Sequence, residues 1–266
     1  MPLRLAVQEN LLPAPSLDAK FAQAAEWGYD AIEVRGDTLR AEHRAIAQRV
    51  RGGTARVAGI VGGYRGWPVA ADPDERLQCL EDIARLLTFA AEVEAVGVII
   101  VPIYGYSARL PYPQKRDAIA DEERLDDALH ELTEFAASVG STLILEPLNR
   151  YETHLIHRLE QGAEWCERIG SERLRLLGDL FHMNIEERDP VTALHVAREY
   201  LGYVHLADNT RLEPGTGITD FMAAFRELRD IEYDGYCALE CNLSGRPDEI
   251  LPRTAQFVRS LWGADQ

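Results

Sequence analysis

Short apolar, β-branched runs alternate with longer amphipathic stretches along the whole chain. The runs fall at residues 3–8, 30–35, 56–61, 98–102, 142–146, 174–179, 203–207 and 236–240. Several are near-continuous apolar runs, such as Val98-Ile99-Ile100-Val101 and Leu143-Ile144-Leu145. Such runs suit parallel strands covered on both faces. Between the runs, apolar positions recur in steps of three and four. Leu77, Leu80, Ile83, Ala84, Leu87 and Ala91 predict a helix over 74–96. Leu125, Leu129, Leu132, Phe135 and Val139 predict another over 122–139, stopped by Gly140. Gly28, Gly97 and Gly235 each stand just before a strand, where a helix must end and the chain turn.

Eight strand-like runs in this alternation predict a parallel α/β protein. Divided over 266 residues, each unit takes about 33, the size of a βα unit in a (β/α)8 TIM barrel. A doubly wound open sheet is the rival. Its Gly-rich fingerprint would follow the first strand, and none follows Val7. The Gly62-Gly63 pair and Gly215-Thr216-Gly217 lack the spacing of a phosphate-binding loop and read as turns. No low-complexity linker or charge block divides the chain, so residues 1–266 are read as a single TIM-barrel domain.

Charge narrows the partners. With 28 basic and 44 acidic side chains the net charge is 28 − 44 = −16. Such a chain repels phosphate backbones and anionic lipid, which argues against nucleic acid and membrane surfaces. No apolar stretch is long enough to span a bilayer. The N-terminus has no secretory pattern. Cys79, Cys166, Cys237 and Cys241 form no CxxC pair. They read as buried, reduced thiols of a cytoplasmic protein.

In a barrel, reactive groups come from the carboxyl ends of the strands. The fifth run ends in Glu146 and the sixth in Asp179, the seventh contains His205, and the eighth ends in Glu240. One acid at a strand end is ordinarily a turn former or a helix cap. Three carboxylates and an imidazole, delivered by four consecutive strands at one end, are costly to bury together without a cation. The donor set suits Mn2+, Co2+ or Mg2+. Zn2+, which more often takes nitrogen and sulfur, is the weaker fit.

The residues around these ends carry a resemblance. EPLNRYET (146–153), GDLFHMNIEE (178–187), VHLAD (204–208) with Arg211 and PGTG (214–217), and the run 236–240 resemble the fifth to eighth strand motifs of one family. It is the D-tagatose 3-epimerase-like family of the xylose-isomerase-like TIM barrels. The resemblance implies that Glu146, Asp179, His205 and Glu240 bind one divalent metal ion. It places Glu146 and Glu240 on the two acid/base carboxylates. It places Glu152, His182 and Arg211 where substrate oxygens are held. The implied enzyme is an isomerase, a ketose 3-epimerase, acting on a small-molecule sugar or polyol-derived ketone. The proton moves through a metal-stabilised cis-enediolate. The family is often dimeric or tetrameric, which implies a homodimer or homotetramer. The loops at 62–67 and 103–113 line the pocket in that family and vary most between activities.

Two glutamates beside one cation serve other reactions equally well. Hydroxypyruvate or inosose isomerisation, and dehydration by a lyase, remain open on the same site. So does a non-catalytic sugar- or metal-binding barrel. Imine chemistry is disfavoured, because the only lysines are Lys20 on a helix and Lys115 in a loop. A serine hydrolase lacks its G-x-S-x-G elbow. Seven scattered histidines fit poorly with the multi-zinc DNA-repair endonucleases of the superfamily. His154 and His157 read as capping or opening the next helix, and Glu186 and Glu187 as opening one. Asp208 either bonds a neighbour of the site or caps its own loop. Tyr64, Trp67, Tyr104 and Tyr106 form either a stacking wall for a sugar or lid packing. Arg211 with the turn at 215–217 is a candidate phosphate cradle. The scarcity of lysine and the acidic charge favour a free sugar instead.

Overall fold

The computed structural model describes residues 2–105 and 118–264. Eight parallel strands follow in chain order: β1 (Arg4–Gln8), β2 (Ala31–Arg35), β3 (Val57–Val61), β4 (Val98–Ile100), β5 (Leu143–Leu145), β6 (Leu174–Asp179), β7 (Leu201–Leu206) and β8 (Tyr236–Leu239). Each pairs with the next, and β8 returns to β1 with Arg4 opposite Tyr236 and Val7 opposite Leu239. The sheet is therefore a closed (β/α)8 TIM barrel without an edge.

The helices on the outside are α1 (Leu17–Glu26), α2 (Gly36–Arg51), α3 (Pro73–Glu92), α4 (Ala118–Val139), α5 (Leu159–Ile169), α6 (Leu180–Glu186), α7 (Pro190–Val196), α8 (Phe221–Asp230) and α9 (Pro247–Trp262). Helix α3 starts where Asp72 accepts from the amides of Asp74 and Glu75, with Pro73 at its first position. It ends at Glu92, short of the predicted Val96, because Glu94 turns left-handed (φ 55°) to lead the chain into β4. Helix α4 ends at Val139, before Gly140 at φ 74°, as its sequence predicts. Strand β7 begins at Leu201, two residues ahead of the predicted start. Gly202 interrupts the apolar pattern there. A Cβ on it would lie 2.7 Å from that of Arg175, so close strand packing demands the glycine.

Strand alternation divides the apolar residues into two cores. One fills the space between strands and helices. The other lies inside the barrel: Ala6, Ala31, Ala58, Ile99, Ile144, Leu177, Tyr203, Tyr236 and Ala238. This inner core is lopsided. Strands β1, β2 and β3 contribute buried alanines and β8 an alanine with Tyr236, while β4 to β7 contribute larger side chains. The four cysteines are buried and unpaired. Among the described residues no helix is long and apolar enough to cross a membrane.

Candidate active site

The inner core positions the site. Two residues beyond Ile144, Leu177, Tyr203 and Ala238 come Glu146, Asp179, His205 and Glu240. A step of two returns each side chain to the barrel interior, one layer nearer the carboxyl end. One ligand atom from each lies within 4.8 Å of the others. His205 Nδ1 is 3.0 Å from Glu240 Oε2, 3.7 Å from Glu146 Oε1 and 3.9 Å from Asp179 Oδ2. Glu146, Asp179 and His205 are buried, and the Glu240 side chain is 22% exposed.

Two buried atoms of this group, Glu146 Oε1 and His205 Nδ1, have no hydrogen-bond partner among the described residues. Orphaned polar atoms in a buried cluster cost free energy unless something charged sits among them. Three carboxylates and one imidazole therefore fit a hard or borderline divalent cation.

The neighbours of the cluster set its charges. Arg211 donates to Asp179 and Glu240, and its guanidinium stacks 4.7 Å from the Phe181 ring centroid. Burial raises the Glu146 carboxyl, and nearby Glu240 adds to the effect, only partly offset by His205. Burial acts on Glu240 in the same sense but is outweighed by His205, Arg211 and Gln8, so that carboxyl falls well below its usual range. The two glutamates are driven in opposite directions, the arrangement a paired acid and base need. Burial works against a charged His205 ring, yet Glu33 and Glu240 outweigh it and raise its pKa well above the usual value.

All three expected substrate residues reach the same cavity. Its volume is about 700 Å3, and Glu146, Glu240, Glu152, His182 and Arg211 line it. His182 extends from α6, which Asp179 caps by accepting from the Phe181 amide at 2.7 Å. Its Nε2 stands 3.7 Å from Asp179 and 3.9 Å from Glu146. The Asn149 side chain lies 2.8 Å from His182 Nδ1 and donates to Glu152 Oε1 at 3.1 Å. One amide thus orients two of the residues expected to hold substrate. Tyr64, Trp67 and Tyr104 wall the cavity, with ring centroids 6.5 and 6.3 Å apart. Tyr106 and Lys115 lie outside the described residues.

Other expectations resolve locally. Asp208 accepts from the amides of Asn209, Gly215, Gly217 and Thr219 at 2.8–3.1 Å. It caps its own loop and occupies the amides of Gly215 and Gly217 that a phosphate would need. That loop holds Arg211 at φ 60°, a conformation uncommon outside glycine. His154 is turned toward Asp121, 2.9 Å away, and His157 Nδ1 toward the Leu148 carbonyl at 3.0 Å. Glu186 closes α6 and Glu187 follows it, so neither opens a helix as expected. The apolar pattern continues past them, but Glu187 is already extended (ψ 139°). Glu186 clamps Arg150, and Glu187 accepts from the Leu159 amide at the start of α5.

Reading only the ends of the later strands misses Gln8, which ends β1, and also Glu33 and Asn149. Glu33 had a visible signal, an acid inside the apolar run Ala31-Ile32-Glu33-Val34.

A family model described as xylose isomerase-like TIM barrel matches residues 21–261. The chain is 33% identical over 240 residues to 3-dehydro-D-guloside 4-epimerase of Escherichia coli (strain K12), covering 90% of this chain and 92% of that protein. It is 31% identical over 250 residues to L-ribulose 3-epimerase of Mesorhizobium japonicum, covering 92% and 82% respectively. Among solved structures, the apo form of 3-keto-D-glucoside 4-epimerase from E. coli matches with a TM-score of 0.92 at 31% identity, over 97% of this chain and 99% of that one.

Proposed function

The chain belongs to the xylose isomerase-like TIM barrel family, and from that premise we propose that it is a divalent-metal-dependent sugar epimerase with Glu146 and Glu240 as its acid and base. Its relatives are epimerases, and the chain is an isomerase. The observation that carries the metal is the pair of orphaned buried atoms, Glu146 Oε1 and His205 Nδ1, within one cluster of four ligand groups. A divalent cation held by Glu146, Asp179, His205 and Glu240 supplies Lewis acidity toward the substrate carbonyl. Mn2+, Co2+ and Mg2+ suit the oxygen-rich donor set.

The remaining work falls to side chains. Glu146 and Glu240 rise from strands three apart in the closed barrel and reach the cavity from different sides. One removes the proton from the carbon beside the carbonyl, and the other returns a proton on the opposite face, which inverts the centre. His182 and Arg211 offer N–H donors to sugar oxygens, and Glu152 offers an acceptor. The aromatic wall gives a sugar ring an apolar face to pack on. A free sugar suits the site, because the turn beside Arg211 has its amides engaged by Asp208.

A ketose inverted at C3 is the first substrate class. A 3-keto glycoside inverted at C4 is the second, favoured by the identity to the E. coli 4-epimerases over nearly the whole chain. Both place the reacting carbon next to a carbonyl. NMR in D2O with Mn2+ and a panel of ketoses, 3-keto glycosides, hydroxypyruvate and inososes separates them. Deuterium at C3 of a ketose or at C4 of a 3-keto glycoside identifies the substrate class. Metal-dependent loss of water without epimer formation would replace the epimerase by a lyase.

A further inference from the structure

A buried acid on the far side of the barrel is bound to the metal cluster, and the reaction outlined above does not use it. Glu33 extends from β2 and is fully buried. Its Oε2 lies 2.9 Å from His205 Nε2, on the opposite side of the imidazole from the cluster. Its Oε1 accepts from Gln8 Nε2 at 2.8 Å. The same Gln8 nitrogen donates to Glu240 Oε1 at 2.9 Å. Gln8 and Glu33 are register partners on β1 and β2.

Gln8 Nε2 stands between an oxygen of Glu33 and an oxygen of Glu240, and serving both acceptors takes two N–H bonds. Only the amide nitrogen of Gln8 can do so, and this sets the amide's orientation. Glu33 likewise needs a hydrogen from His205 Nε2. With that hydrogen on Nε2, Nδ1 is the nitrogen left toward Glu146, Asp179 and Glu240, where a cation can take the place of its proton. The anchored Oε1 of Glu240 leaves its Oε2 directed at the cluster. The alanines at Ala6, Ala31 and Ala238 leave the lumen open enough for Glu33 to reach from β2 to β7.

We propose that Glu33 and Gln8 are positioning residues, one setting the His205 tautomer for metal binding and the other holding the Glu240 carboxylate for proton transfer. This rests on the metal-dependent reading above. Hydrogen-bonded acids behind a ligating histidine commonly strengthen metal affinity by 10–100-fold. The two residues therefore differ in their main effect, Glu33 on metal affinity and Gln8 on turnover.

Mn2+ titration followed by electron paramagnetic resonance, with kcat and KM at saturating Mn2+, tests both. Glu33→Gln should weaken Mn2+ binding about 10–100-fold. Gln8→Met, of similar volume without the donors, should weaken Mn2+ binding less than Glu33→Gln does and, at saturating Mn2+, lower kcat at least tenfold with little change in KM. Should Glu33→Gln fail to fold, imidazole 15N shifts of the Mg2+-loaded wild type decide. A proton on Nε2 supports the assignment, and one on Nδ1 overturns it. A folded Glu33→Gln variant with wild-type affinity also overturns it. Wild-type protein that binds no Mn2+ at all would instead overturn the metal-dependent function.

Discussion

Glu146 and Glu240 share one cluster but not one environment. Burial raises the first, while His205, Arg211 and Gln8 hold the second down against the same burial. If they act as an acid and base pair, either substitution to Gln should lower kcat by about 10²–10⁴-fold with the fold intact. Steady-state kinetics with circular dichroism checks this, and a variant that keeps full turnover would remove its residue from the chemistry. His205 adds a pH dependence. Its raised pKa means that a proton and a cation compete for Nδ1. Metal affinity should therefore rise with pH and fall as the ring protonates. Calorimetry in two buffers of different ionisation enthalpy should show proton release on binding. Affinity that stays flat from about pH 6 to 8 would count against His205 as a ligand. The proposed ligand residues are legible in the sequence because each ends or nearly ends a strand. Glu33 is not, because its meaning depends on His205, which is distant in sequence.

At the scale of elements, the loop after β3 carries Tyr64 and Trp67 of the aromatic wall and needs an anchor. Arg65 supplies it, with its amide, Nε and Nη2 donating to Asp82 of α3 at 3.2, 2.7 and 2.9 Å. Asp82 is buried but its partner is largely exposed, so solvent screens the pair. The hydrogen bonds from Arg65 hold the Asp82 carboxyl below its usual value. A depressed folded pKa stabilises above the unfolded value, and the contribution is lost as pH falls through the folded one. Asp82→Asn should lower Tm near neutral pH, and the gap from wild type should narrow below about pH 4. It should also raise KM several-fold with kcat little changed, since the wall loosens while the acids stay in place. A rise in KM without the acid-dependent narrowing would assign the loop's order to something other than this pair. Element boundaries were largely visible in the apolar periodicity. They shifted where backbone geometry overrode it, at Glu94, Gly202 and Glu187.

For the whole molecule, closure of the barrel gathers three carboxylates into a chain that already carries −16. A cation bound there should stabilise the folded state by mass action, about 2.7 kcal/mol at a hundredfold excess over Kd. For a chain of this size that is a rise in Tm of about 5–10 °C. Thermal melts with Mn2+ and with a chelator measure it, and Glu146→Gln should lose most of the shift. Identical melts in all conditions would argue against a resident cation.

The sequence by itself determined the barrel and the end at which its chemistry sits. Continuous apolar runs and helical steps of three and four are local properties, and the residue that ends a run can be read without knowing its neighbours. Tertiary structure alone decided which polar groups meet. Glu33 reaches His205 only because β8 closes onto β1, Asp208 consumes the amides of its own loop, and Asn149 orients both His182 and Glu152. Each depends on groups that closure and loop folding bring within hydrogen-bond distance, and a directional contact of about 3 Å leaves no trace in periodicity.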